Sequence, residues 1–206
     1  METLIKLFGS SAKVKMIKLF VFNENHSYDV KQIAERTKES ISKIRAEIHN
    51  LEKMGLIQSR SFFKAVEKKR SGKKVTSKVK TTGWVLDEDF ESIEPLRKFL
   101  IDMNHITPKD IIRKLSHGGA LKFVLISGVF IQSSESRVDL LVVGDHIKRG
   151  IMEKAIRTLE AEIGKEIRYA IFETSEFKYR QGMYDKLIRD ILDFPHEKIV
   201  NKFGVV

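Results

Sequence analysis

Two near-continuous apolar runs, Ala120–Ser127 (ALKFVLIS) and residues 138–144 (VDLLVVG), constrain this chain more than anything else in it. A strand with one solvated face alternates apolar and polar residues, so runs without alternation read as strands buried on both faces. Such strands need elements packed on either side, which predicts a layered α/β or α+β domain. The flanking sequence supplies those elements. Thr107-Pro108-Lys109-Asp110 reads as a helix start: a cap, a Pro in the first turn and a carboxylate near the positive helix end. Gly118-Gly119 ends that helix. Residues 148–163 read as a helix with Ile151, Ala155, Leu159 and Ile163 on one stripe, and 167–172 as a third strand. Helices are expected over 175–182 and 184–192, and Pro195 breaks the chain before Lys198-Ile199-Val200.

At 206 residues the chain can form two small domains, each with its own core. The expected class is α+β: a domain over 1–88, a connecting helix over 89–104, and a domain with a small mixed sheet over 105–206. Leu96, Phe99, Leu100 and Met103 give the connecting helix an apolar stripe suited to a domain joint or a homodimer seam. No apolar run approaches the length of a membrane span, and no basic segment followed by a long apolar stretch opens the chain. A cytoplasmic protein is therefore expected, with no membrane partner. Cysteine is absent, and the six histidines (26, 49, 105, 117, 146, 196) lack metal-ligand spacing, so neither a metal nor another cofactor is expected.

The net charge of +10 is unevenly distributed. Residues 60–80 hold nine basic side chains against Glu67 alone, which is +8 of the total. A field that concentrated attracts a polyanion.

The segment before it completes the pattern. Residues 10–22 set Val14, Ile17, Phe20 and Val21 on one helical face, with Lys13, Lys15 and Lys18 elsewhere. Asp29 and Gln32 form a capping-box-like start to a second helix, with Val30, Ile33 and Ala34 inward. Ser40 caps a third, in which Ile44, Ile48 and Leu51 point inward and Gly55 marks the stop. Ser42, Lys43, Arg45, Ala46, His49 and Asn50 lie on its other face. Two helices joined by a short turn, the second with a hydrogen-bonding outer face, match the arrangement that lays a helix in the DNA major groove. Ser42, Lys43, Arg45, His49 and Asn50 are the candidate base readers. The basic run then falls where a hairpin wing belongs. Strands are expected over 62–66 and 75–79 around an Arg70-Ser71-Gly72-Lys73 turn, with Trp84-Val85-Leu86 extending the return. Lys68, Lys69, Arg70, Lys73 and Lys74 are the candidate phosphate contacts. The same run also suits a solvated basic loop or an RNA-binding strip.

Two resemblances refine this reading. The run Leu7-Phe8-Gly9-Ser10-Ser11-Ala12-Lys13-Val14-Lys15, with Ile33-Ala34 and Leu51-Glu52-Lys53-Met54-Gly55-Leu56-Ile57, resembles ArsR-type winged-helix regulators over about residues 4–86. The Cys ligands of a repressor metal site are missing. Some of those regulators carry a nucleotidyltransferase-like domain after the wing. Here Leu125-Ile126-Ser127-Gly128-Val129-Phe130 and Ser136-Arg137-Val138-Asp139-Leu140-Leu141 resemble the core of small nucleotidyltransferases. The tail from Phe172-Glu173-Thr174 to Gly182-Met183-Tyr184 and Lys198-Ile199-Val200 is similar to the end of that family. The family has Gly-Ser on one strand to hold nucleotide phosphates, and two Asp, two apart on the next, to hold Mg²⁺.

This chain departs from that pattern. Gly128 is kept, but Val129 replaces the Ser and Arg137 the first Asp; only Asp139 remains. Arg168 stands where a third carboxylate is expected, and the connection from Gly128 to Asp139 is short for the family. The resemblance thus implies the fold and argues against the activity. A DNA-binding transcriptional regulator is expected, with no catalytic residues and a second domain for sensing or assembly. Arg137, Asp139 and Arg168 form either a site for a small anionic or nucleotide effector or a structural ion pair. The alternatives are an active nucleotidyltransferase modifying a protein or nucleic acid, with Asp139, Glu135 and Glu173 as metal ligands, or an RNA-binding factor.

Overall fold

A computed structural model describes residues 2–70, 73–103, 106–133 and 135–204; the side chains of 67–75 lie outside that description. The chain is α+β and divides into two compact units, one formed by Met1–Asn104 with Ala161–Gly164 and the other by His105–Glu160 with Lys165–Val206.

The first unit contains α1 (Glu2–Phe8), α2 (Ser11–Val21), α3 (Val30–Thr37), α4 (Ile41–Lys53), the strands β1 (Ile57–Arg70) and β2 (Lys73–Leu86), and α5 (Ile93–Asp102). Its core joins Val14, Ile17 and Phe20 of α2 to Ile33 of α3, Ile44, Ile48 and Leu51 of α4, and Ile57 and Leu86 at the base of the strands. The helix starts are fixed by side chains that accept otherwise orphaned amides. Ser10 Oγ accepts from Lys13 N at 3.0 Å, Asp29 and Gln32 form a reciprocal capping box, and Ser40 Oγ accepts from Lys43 N at 3.5 Å. Lys38, at φ 54°, takes the left-handed turn that ends α3.

Helix α1 has no counterpart in the periodicity reading. Its seven residues are too few to show a repeat, yet Leu4 is fully buried in the core. Lys18, which lies off the apolar stripe of α2, is nonetheless only 1% exposed, with its Nζ donating to the Glu162 carbonyl at 2.8 Å. Desolvation lowers its pKa to about 8 against the opposing pull of the Glu162 charge. The stripe of α5 packs into this same unit: Leu100 is buried in the core, with Leu96 and Met103 against it, while Phe99 stays exposed.

The strands β1 and β2 form one antiparallel hairpin in unbroken register from Ile57↔Leu86 to Arg70↔Lys73. It is longer than the two short segments the sequence suggested, because ladder hydrogen bonds form along polar residues that show no apolar alternation. A bridge from Tyr28 widens its base: Tyr28 N donates to Trp84 O and Trp84 N to Tyr28 O, both at 2.9 Å. Gly83 permits that approach, since a Cβ there would sit 2.5 Å from the Tyr28 carbonyl oxygen.

The second unit has α6 (Pro108–Leu115), β3 (Ala120–Ser127), β4 (Leu140–Asp145), α7 (Arg149–Ile163, whose end from Ala161 belongs to the first unit), β5 (Tyr169–Glu173), α8 (Thr174–Gly182), α9 (Lys186–Asp193) and β6 (His196–Asn201). The mixed sheet runs β5-β4-β3-β6, with β4 parallel to β5 and β3 antiparallel to both neighbours. Phe123, Leu125, Leu141 and Val143 pack with Phe172, Phe177, Ile188 and Ile191 on one face, and Val124 and Val142 of the alternate parity are also fully buried. The inner stripe of α7 is Met152, Ile156, Leu159 and Ile163; Ile151, expected inside, is 41% exposed. No helix among the described residues is long and apolar enough to cross a membrane.

Candidate functional site

The outer face of α4 is the first site. Ile44, Ile48 and Leu51 anchor one side of the helix, so the residues between them in sequence must face away. Ser42, Lys43, Arg45, Ala46, His49 and Asn50 are all exposed, and Lys53, absent from the candidate set, is exposed with them. At about 100° per residue, Ser42, Ala46, His49 and Lys53 form the ridge directly opposite the buried residues, and the other candidates flank it.

Two carboxylates hold one flank. Glu39 accepts from Ser11 Oγ at 2.9 Å, Lys15 Nζ at 2.8 Å and Lys43 Nζ at 3.3 Å. Glu47 accepts from Ser10 Oγ at 2.5 Å and Asn50 Nδ2 at 3.1 Å, with Lys13 Nζ at 3.6 Å. Burial alone would raise both pKa values, but these hydrogen bonds and the Lys15 and Lys13 charges outweigh it and hold both below the usual carboxylate value. The other flank meets the hairpin. Trp84 Nε1 donates to Glu52 at 2.7 Å, and Lys64 Nζ pairs with Asp29 of the α3 cap at 2.8 Å. A groove of about 650 Å³ runs there, lined by Ile41, Arg45, Lys64, Val66, Val79 and Trp84 among others. The candidate phosphate contacts Lys68, Lys69, Arg70, Lys73 and Lys74 belong to the distal rungs of the hairpin by register; their side chains, and the turn residues 71 and 72, lie outside the described residues.

The second site is Asp139, a fully buried carboxylate just before β4. Its Oδ1 accepts from Val129 N at 3.1 Å and Arg168 Nη2 at 2.9 Å; its Oδ2 accepts from Arg168 N at 2.8 Å and Arg168 Nε at 3.0 Å. The Arg168 fork is therefore bidentate, and those bonds hold the guanidinium pKa above its ordinary value. The backbone is equally engaged: Ser127 N donates to Asp139 O at 2.9 Å, and Ser127 Oγ donates to Val138 O. Gly128 stands at φ +53°, and a Cβ there would overlap Asp139 Oδ1.

The structure brings Asp139 and Arg168 together but not Arg137. Arg137 pairs with Asp190 of α9 at 3.2 Å, and its side chain is 63% exposed. The same-face argument for residues 137 and 139 holds only within a strand, and β4 begins at Leu140. Of the other two alternative ligands, Glu135 is exposed and Glu173 accepts from Ile147 N at 2.8 Å. Among the described residues no three His, Asp or Glu side chains converge as metal ligands would.

What the geometry defines is an α+β chain with an exposed polar helix beside a basic hairpin, and a buried carboxylate saturated by one arginine. No family model, no curated protein and no solved structure matches the chain.

Proposed function

We propose that the protein is a regulator that binds double-stranded DNA through a winged helix-turn-helix. In this reading α3 and α4 are the helix-turn-helix, and the hairpin, with the Tyr28 bridge at its base, is the wing. The observation that carries it is the outer face of α4: Ile44, Ile48 and Leu51 are turned inward, and the exposed row is rich in hydrogen-bonding side chains beside the basic hairpin. A major groove accepts a helix presenting such a row, and cations on an adjacent ribbon suit phosphates.

Titration of labelled duplex DNA at several salt concentrations tests this. With about four to six phosphates neutralised, log K falls against log salt with a slope of about −4 to −5. Replacing Lys68, Lys69, Lys73 and Lys74 with Gln flattens the slope and leaves the preferred sequence unchanged. A slope that does not move removes the wing from the reading; equal binding to single-stranded RNA favours the RNA-binding alternative.

The second unit, in the same proposal, is a nucleotidyltransferase-like domain that no longer transfers nucleotides and serves sensing or assembly. Support comes from Asp139, whose two oxygens already accept four hydrogen bonds, three of them from Arg168. Asp139, which the resemblance makes a cation ligand, thus already holds a guanidinium, and two-metal chemistry needs several carboxylates. Incubation with labelled nucleoside triphosphates and Mg²⁺ or Mn²⁺ is expected to label nothing. Transfer to any acceptor, abolished by Asp139→Asn in a still-folded protein, overturns this part.

A further inference from the structure

We infer that base reading by α4 is carried by Arg45 and His49, and that Arg45 selects a guanine one or two base pairs from the position that His49 reads. The inference rests on the DNA-binding reading and names its specificity determinants. The five candidate readers are not equivalent once their partners are known. Lys43 is tied to Glu39 at 3.3 Å and Asn50 gives its Nδ2 to Glu47 at 3.1 Å. Both carboxylates are in turn held by serines and lysines at the start of α2. Glu39 and Glu47 brace α4 against α2, and turning Lys43 or Asn50 onto a base exchanges a bond already made inside the chain for one to the base. Ser42 shares its hydroxyl with Ser40 at 3.1 Å.

Arg45 and His49 differ. Both are exposed, and neither has a hydrogen-bond or ion-pair partner among the described residues. They are four apart on one helix, so their Cα atoms are about 6 Å apart along the axis, spanning about two base-pair steps. Ala46 lies beside His49 on the ridge, and its methyl lets the helix approach the groove floor. A guanidinium has donors only, arranged as a fork. The major-groove edge that offers two acceptors side by side is guanine N7 and O6. An imidazole N–H meets guanine N7 or O6, adenine N7 or thymine O4 singly, and its bare nitrogen accepts from adenine N6 or cytosine N4, so His49 reads a base pair without fixing which one. Arg45 also lines the groove against the hairpin, which restricts the directions its long side chain can take.

Selection from a random duplex library with the full-length protein, followed by 7-deazaguanine substitution at the enriched positions, tests the inference. A guanine and one further base should be enriched at adjacent or next-but-one positions, and loss of the guanine N7 should weaken binding by about tenfold to a hundredfold. Arg45→Lys should keep overall affinity for duplex DNA but weaken the preference at the guanine, since it retains the charge and not the fork. His49→Ala should lose the preference at the other. Lys43→Ala and Asn50→Ala should retain both. Enrichment of a sequence whose preference survives Arg45→Lys and His49→Ala, or shifts with Asn50→Ala, overturns this inference while leaving DNA binding intact. Failure to bind any duplex overturns both.

Discussion

Asp139 and the outer face of α4 are both polar, and they treat their polar groups in opposite ways. Around Asp139 every acceptor is answered from within the chain: two backbone amides and an arginine fork converge on one buried carboxylate. On α4 the carboxylates Glu39 and Glu47 are answered just as fully, yet Arg45 and His49 have no hydrogen-bond or ion-pair partner among the described residues. A saturated polar cluster stabilises a fold and resists ligands, because any newcomer must replace bonds already made. An exposed donor without a partner contributes little to stability and is available for recognition. The contrast separates polar residues that hold the molecule together from those suited to touching something else.

Several substitutions can break or sharpen that contrast. The largest effect is expected at Asp139. Asp139→Asn puts an NH2 group where an oxygen meets two donors, so the unit should lose about 3–5 kcal/mol in urea unfolding. Gly128→Ala should be comparably severe, since its methyl has nowhere to go. A loss under about 1 kcal/mol for both would mean the cluster is not the saturated lock described. Next is Ser10→Ala, which removes both the α2 cap and a hydroxyl donated to Glu47; about 1 kcal/mol of thermal or urea stability should go.

Acid should act more gently on the same flank. Glu39 and Glu47 have folded-state pKa values below their unfolded ones. Their contribution is therefore complete above about pH 4.5 and is lost as pH falls through the lower folded values, where the unfolded chain binds more protons. Urea midpoints measured down through that window should fall more for the native protein than for Glu39→Gln with Glu47→Gln. Parallel curves would show that the carboxylates do not brace α4. The smallest change is expected at Arg45→Ala and His49→Ala, whose stability should stay within about 0.5 kcal/mol of the native protein. A larger loss would move them to the structural side of the contrast.

Much of the first unit was legible because its signals are local. The caps at Asp29 and Ser40 and the Ile44-Ile48-Leu51 spacing depend only on neighbours along the chain. The uncertain parts depended on distant partners. Lys18 is buried because a carbonyl at residue 162 receives its ammonium, which no periodicity in α2 can reveal. The α7 stripe was misplaced by one residue because Met152 and Ile156 serve a helix face as well as Ile151 and Ala155 do. For the second site, Asp139 and Arg168 were identifiable as a carboxylate and a cation that a buried site must match, but the choice of Arg168 over Arg137 was not. That choice turns on β4 starting one residue after Asp139 and on Asp190 being present to take Arg137. The two residues singled out on α4 could be drawn from the sequence only as members of a wider set, since their distinction lies in what their neighbours bind.

The hairpin has a consequence for how such a chain can diversify. Its ladder runs unbroken for fourteen rungs, whereas its fixed attachments, the Tyr28 bridge, the Trp84–Glu52 bond and the Lys64–Asp29 pair, all fall at or below the rung Lys64↔Val79. The rungs beyond it make a modular spacer. Removing two residues from each strand keeps the parity of every remaining side chain and shortens the arm by about 7 Å. Removing one from each exchanges the faces presented by everything distal. Length and facing of the arm are therefore separate, heritable adjustments, open to variation by small in-frame deletions and duplications without disturbing the helices that seat it.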